Sequence, residues 1–521
     1  MKRLSLFLAL SSYLLALSFQ LNAQERIMLI SDPHVLAQSL VQPGSAFDNM
    51  MSSQRKMLDL SEPAWYALMD TALKYRPDLL LIPGDLTKDS ELASHQLVIN
   101  SLNTLREAGI PTLLIPGNHD IGGDAYAYFG TLKQKVENLK DAEWESAYSF
   151  VYDQVKAKDP NSHSFIAEPF KGVSVIGIDA AHDNASIGSL SDKTLSWILT
   201  QADSARAKGH MIIAMSHWQL LEHFDRQGTL ESSCRINNAD DIRDSLMAHG
   251  VRLVLTGHFH VNGITTYVGI TDSIVEITTG SPITYPCPYR FLTLSEDRTT
   301  VDVQTYDLKS LANYPDLQPY SRTWMEQHSA NMIPTLSLRL WNKSDKIVDL
   351  LAQYVGQEIA NRLKDRCIPK TDSAKVALVQ KYFGSTVIQL YLLHSDANEP
   401  EYPQADSLAQ EMYKGLEGFI DELLSADPAI KMVLGSLLQR SAKELAQVPV
   451  QSLVEDVTGW ASTDPNRTDD LHLALKLYNG YWREALDETL ITPAASKSII
   501  NGTLIIHRGD HDYLPNGQEV K

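Results

Sequence analysis

Cysteine is nearly absent, with three residues among 521, at positions 234, 287 and 367. They are too few and too scattered for a thiolate metal site or a disulfide framework. At most one bridge is left, and in an exported chain Cys234 with Cys287 is the first choice. Positive charge is scarce as well. Lys and Arg number 45 against 64 Asp and Glu, giving a formal net charge of −19. No basic cluster offsets this, so the chain repels polyanions, and a nucleic-acid polymer is disfavoured as a partner. Small anionic substrates remain compatible, because a bound metal reverses the field inside a cleft. Internal repeats and low-complexity tracts are also missing.

Long apolar runs are lacking except at the start. There Met1-Lys2-Arg3 precedes an apolar stretch from Leu4 to about Leu21, followed by polar Asn22, Gln24 and Glu25. A basic segment, a short hydrophobic segment and a small residue at Ala23 predict a signal peptide over residues 1–23, with an uncleaved anchor as the alternative. The expected location is periplasmic or extracellular, with no stable transmembrane segment after cleavage. No cysteine lies near Ala23 to carry a lipid.

What remains reads as a globular body. Hydrophobic residues make up 44% and charged residues 21%, and the length exceeds one ordinary core. Short apolar runs at Ile27–Ile30, Leu79–Ile82, Thr112–Ile115, Val173–Ile178, Met211–Met215 and Leu253–Leu255 predict strands. Helical spacing over Glu62–Arg76, Glu91–Glu107, Asp192–Ala207 and Asp240–His249 alternates with them, with Ser61 as an N-cap. This is the pattern of a layered α/β domain. After Gly263 the pattern turns to paired strands, at Ile264–Val268, Ile274–Thr278, Phe291–Leu294 and Val301–Tyr306. Beyond about Leu311, helical patterns such as Lys346–Arg362, Asp406–Leu424 and Leu471–Leu486 dominate. The expected division is an α/β domain over 24–310 and a mostly helical domain over 311–521. Residues 35–60 form a long polar excursion after the first strand, read either as a pocket rim or as a tolerated surface insertion.

The chemistry gathers at strand ends. Asp32-Pro33-His34 follows the first strand, Gly84-Asp85 the second and Gly117-Asn118-His119-Asp120 the third; later strands run into His217 and into Gly257-His258-Phe259-His260. Asp32 and His34, two residues apart on an extended segment, project to one side. In open α/β sheets the site lies beyond the carboxyl ends of the strands, so five separate motifs converge on one edge. A single histidine after a strand would mean little, whereas five such motifs make a metal site. Imidazole, carboxylate and amide oxygen without thiolate suit Mn, Fe or Zn in a reactive rather than a structural centre.

Asp-x-His, Gly-Asp, Gly-Asn-His-Asp, His and Gly-His-x-His, in this order, resemble the calcineurin-like metallophosphoesterase superfamily. The resemblance spans about Glu25 to Leu308 and implies a four-layer αββα sandwich and two divalent or mixed-valence metal ions. It implies Asp32, His34 and His260 as ligands of one ion and Asn118, His217 and His258 as ligands of the other, with Asp85 bridging both. His119 would stabilise charge or protonate the leaving oxygen, and Asp120 would either assist catalysis or brace its turn. Two divalent ions, two carboxylates and a bridging hydroxide leave about one positive charge, which suits a phosphodiester monoanion.

Position 88, three residues after Asp85, is Lys rather than the Tyr of purple acid phosphatases, and Leu86-Thr87-Lys88 lacks the Asp and Arg of the protein phosphatases. The chain is more similar to bacterial cyclic-nucleotide phosphodiesterase-like members. A small phosphodiester or nucleotide is therefore the expected substrate and a phosphomonoester the alternative; a non-catalytic binding module that kept the fold is the reading from another class. His95 is expected on a helix surface or rim. Tyr285–Arg290 reads either as a substrate contact or as a Pro-rich connection.

Overall fold

A computed structural model describes residues 24–330, apart from 53, 182–184, 224–231 and 270–271, together with parts of 334–432 and residues 505–508. The expected signal peptide and the Leu471–Leu486 helix lie outside the described residues.

Two large sheets carry the fold. The first orders its six strands Ile505–Arg508, Thr300–Asp307, Pro288–Leu294, Arg26–Leu29, Leu79–Ile82 and Thr112–Leu114. The second orders seven as Gly263–Val268, Ser273–Thr278, Leu253–Thr256, Met211–Ser216, Val173–Ile178, Phe165–Phe170 and Val155–Lys158. In each, the strands that end in polar motifs run parallel: Ile27 beside Leu79 and Leu80 beside Thr112 in the first, Met211 beside Val173 and Ile213 beside Leu253 in the second. Parallel strands are normally covered on both faces. Accordingly Leu79–Ile82, Val173–Ile178, Leu253–Thr256 and Ser273–Thr278 are buried throughout.

The sheets meet face to face, since a Cβ on Gly177 in the second would touch Ile115 at the end of a strand of the first. Helices Ser61–Tyr75 and Leu92–Glu107 pack together, and Tyr75 reaches Phe291 of the first sheet. Helices Asp192–Ala207 and Ala239–Ala248 lie against the second. One hydrophobic cluster runs through both sheets and all four helices. The α/β sandwich expected from the sequence is thus the observed architecture.

Several local expectations are corrected. Ser61 is the first helical residue rather than the cap; its hydroxyl donates to Leu58 O and accepts from Leu36 N, tying the helix to the loop before it. The polar excursion at 35–60 holds a helix over Ser45–Met51 and short 3-10 turns at Gln38–Leu40 and Leu58–Leu60. Cys287 and Cys367 are free thiols, so the Cys234–Cys287 bridge is absent. Burial pushes the Cys287 thiol up to about 12. The Tyr285–Arg290 segment serves as a connection: Tyr285 packs on Met325, and Cys287 and Arg290 are buried.

Past residue 311 the described residues are largely helical, with Leu317–Ala330, Gln357–Arg366 and Asp372–Ser395. Leu317 nevertheless belongs to the main core, and a smaller separate cluster forms around Val348, Leu363 and Ile430. Ile505–Arg508 departs from the helical expectation by pairing in parallel with Thr300–Val303 at the edge of the first sheet.

Candidate metal centre

The strand ends deliver their polar residues to one place. Asp32, His34, Asp85 and His260 present donor atoms all within 4.8 Å of one another, and so do Asp85, His217 and His258, with Asp85 common to both groups. His34 Nε2 lies 3.5 Å and His217 Nε2 3.2 Å from the same oxygen, Asp85 Oδ2. On the first side His260 Nε2 is 3.2 Å from Asp32 Oδ1 and 2.9 Å from His34 Nε2. On the second, His258 Nδ1 is 3.1 Å from His217 Nε2.

Neighbouring groups aim these atoms. His217 Nδ1 sits 2.8 Å from Pro83 O, so it donates there and leaves Nε2 turned towards Asp85. Asp32 accepts from Ser31 Oγ and from His258 N, and Asp85 Oδ1 accepts from His119 N at 2.9 Å. Five of the residues brought together hold positive φ: Asp32 at 52°, His34 at 42°, Asp85 at 53°, His258 at 65° and His260 at 60°. Non-glycine residues reach this region only at a cost, and such strain collects at functional sites.

The imidazoles differ in charge: at His217 burial works to lower the ring, but Asp85 outweighs it and holds it up at about 9, so a proton stands there that a cation would displace. Burial pushes His258 down to about 3 and His34 well below the usual imidazole range. Burial works to raise Asp85, but the His217, His119 and His34 imidazoles outweigh it and hold the carboxyl well below the ordinary range. Asn118 Oδ1 is buried with no hydrogen-bond partner, an acceptor left for a cation. Nitrogen atoms facing each other at about 3 Å, an orphaned amide oxygen and no thiolate fit hard or borderline divalent ions.

His119 and Asp120, adjacent in sequence, do different things. The His119 side chain is partly exposed, meets His34 edge-on with ring centroids 4.9 Å apart, and contacts Asp89 Oδ1 through Nδ1 at 2.8 Å. Asp120 is wholly buried, accepts from the N–H groups of Gly117 and Thr87 at 2.9 Å, and is raised by burial to about 7. Its contacts are those of a turn brace. His95 is not at a surface: it is buried, with Nδ1 at 2.7 Å from Tyr148 Oη and Nε2 at 2.8 Å from Asp120 O, and burial lowers it to about 3.

Two residues of this neighbourhood escaped the sequence reading. Asp89, held down to about 2 by His119 and Lys88 against burial, follows the Gly-Asp motif, and its spacing alone gave it no role. Lys56 comes from the polar excursion and lies against the His34 ring. No motif marks it.

Residues 25–262 match the calcineurin-like phosphoesterase family. A curated relative, a probable glycerophosphodiester phosphodiesterase of Arcobacter nitrofigilis, is 26% identical over 214 residues, which is 40% of this chain and 65% of the relative. This chain thus spans just under two thirds of that protein's length. Among solved structures, a dimetal phosphatase from Danio rerio aligns at TM-score 0.38 and 14% identity, over 53% of this chain and 94% of that one. A purple acid phosphatase from yellow lupin aligns at TM-score 0.37 and 14% identity, over 55% and 52%. The match to the calcineurin-like phosphoesterase family thus rests on residues 25–262, a little under half of the chain, which include all the residues of the candidate centre.

Proposed function

We propose that this protein is a metal-dependent hydrolase of small phosphate esters, with a phosphodiester or nucleotide as its leading substrate class. The observation that carries the reading is Asp85 Oδ2, approached from one side by His34 and from the other by His217. Asp32, His34 and His260 would hold one ion and Asn118, His217 and His258 a second, with Asp85 shared. When bound, such ions lower the pKa of water and neutralise charge on the phosphoryl oxygens. The family match over residues 25–262 and a relative named as a probable phosphodiesterase support the reading. Export remains a proposal supported by the Lys2-Arg3 and Leu4–Leu21 pattern.

The chain's own residues supply the rest. Asp89 on Nδ1 orients the His119 ring and carries compensating charge when Nε2 holds a proton for the departing alkoxide. The attacking water gives one proton to solvent as its oxygen forms the new P–O bond and the ester P–O bond breaks. The alkoxide takes the His119 proton and leaves as the alcohol, and solvent returns a proton to His119. Asp120 and Thr87 fix the turn that presents His119. A non-catalytic module would be expected to have lost a ligand, and all seven residue types are retained.

The test is direct. Protein stripped of metal and reloaded with Mn²⁺ is expected to cleave bis(p-nitrophenyl) phosphate, and His119→Ala is expected to lower kcat about 100-fold or more with metal content intact. Inactivity of the fully loaded wild type towards both chromogenic diester and monoester would remove the proposal.

A further inference from the structure

We infer that Lys56 is an anion-recognising residue that equips this site for a phosphomonoester dianion as well as a diester. The inference rests on the phosphoesterase reading above and adds a substrate class and a specificity residue to it.

Lys56 Nζ lies 3.4 Å from His34 Nδ1 and 3.5 Å from His34 Nε2, nearly equidistant, so it sits against the imidazole rather than on one lone pair. An ammonium beside a centre that collects cations is electrostatically costly unless an anion joins them. Asp85, Asp89 and Asp32 pull on it, but among the described residues none forms an ion pair with it. Its hydrogen-bonding contact there is the His34 ring, while nearby Lys88 is paired with Asp89 and Glu91. Arg55 adds a second positive charge that acts on His260.

Nor is Lys56 a passenger on a loose loop. The next residue, Met57, is buried and donates its N–H to Ile283 O at 2.8 Å, and Leu58 and Leu60 are buried behind it. The 35–60 excursion is thus anchored where it delivers the ammonium, which favours a pocket rim over a tolerated insertion.

Charge and valence then separate the two ester classes. Two divalent ions, Asp32, Asp85 and one hydroxide sum to about +1, and Lys56 brings the centre to about +2. A diester has two unesterified oxygens, enough for two ions. A monoester has a third and a second negative charge, and a lysine is a point-charge partner for it.

The experiment titrates metal-loaded wild type, Lys56→Gln and Lys56→Arg with inorganic phosphate by calorimetry, measures bound metal, and compares kcat/KM for p-nitrophenyl phosphate and bis(p-nitrophenyl) phosphate. Lys56→Gln is expected to keep its metal, weaken phosphate binding about tenfold, and lose about tenfold more monoester than diester kcat/KM, with Lys56→Arg recovering most of both. Phosphate affinity unchanged in Lys56→Gln, loss of metal, or an equal fall for both esters would overturn the assignment. If wild type cleaves neither ester, the phosphoesterase reading fails instead, and the phosphate titration still decides the role of Lys56.

Discussion

At the scale of single residues the site depends on space as much as on ligands. Gly257 precedes His258, and a Cβ there would stand 1.9 Å from Ser31 Oγ and 2.3 Å from Asp32 Oδ2. Neither neighbour can retreat without moving the carboxylate that reaches towards His260. Gly257→Ala is therefore expected to destabilise the fold by about 1–3 kcal/mol and to reduce bound metal, read by chemical denaturation and elemental analysis. Gly209 is the control. It has nothing within 4 Å of an added Cβ and only a positive φ of 71°, so Gly209→Ala should cost stability but leave metal content unchanged. Metal loss in both variants, or in neither, would contradict this account. That the residues of the candidate centre would meet was legible because residue type, order and position after strands are all sequence properties. Lys56 was not, because its place depends on how a long excursion folds back.

Secondary-structure elements set which ligands can meet, and one strand outside the motifs does much of the aiming. Glu276, fully buried in Ser273–Thr278, accepts from the N–H groups of Leu220 and Leu221 at 2.8 Å through one oxygen, and from Thr256 Oγ1 at 2.9 Å through the other, where His223 Nε2 also lies at 2.9 Å. It thus clamps the chain just after His217 and just before His258. Glu276→Gln turns one accepting oxygen into a donor facing donors, an unsatisfied buried contact worth about 1–3 kcal/mol. We expect a stability loss of that order together with weaker retention of the ion between His217 and His258, measured by denaturation and by competition with a chelator. Wild-type stability with wild-type retention would show that the strand plays no such part. The paired-strand pattern after Gly263 locates this strand in the sequence but does not assign Glu276, since a lone acid in a strand says nothing of four partners brought from 20 to 56 residues away. The helices were read more closely: Asp192–Ala207 matches residue for residue, because amphipathic spacing and the Ser191 side chain on Thr194 N are local signals.

Across the whole molecule, the donors of the proposed centre come from both sheets. Asp32, His34, Asp85 and Asn118 follow strands of the first, while His217, His258 and His260 follow strands of the second. Asp32 and His258, joined by a hydrogen bond, are 226 residues apart in sequence. Ions held at this seam would bind the assembled sandwich and have little to hold in the unfolded chain, where those donors are scattered. Binding to the native state alone stabilises it by about 2.7 kcal/mol per site at a free-ion concentration 100 times the dissociation constant. The smaller cluster around Val348, Leu363 and Ile430 contains none of these donors. Calorimetric melting of the full chain, chelator-treated and then reloaded with Mn²⁺, should therefore raise the transition of the sandwich with increasing metal and leave any separate transition of the smaller cluster in place. A sandwich transition indifferent to metal would refute a centre built across the sheets. An equal shift of every transition would point to non-specific ion binding by a chain of net charge −19.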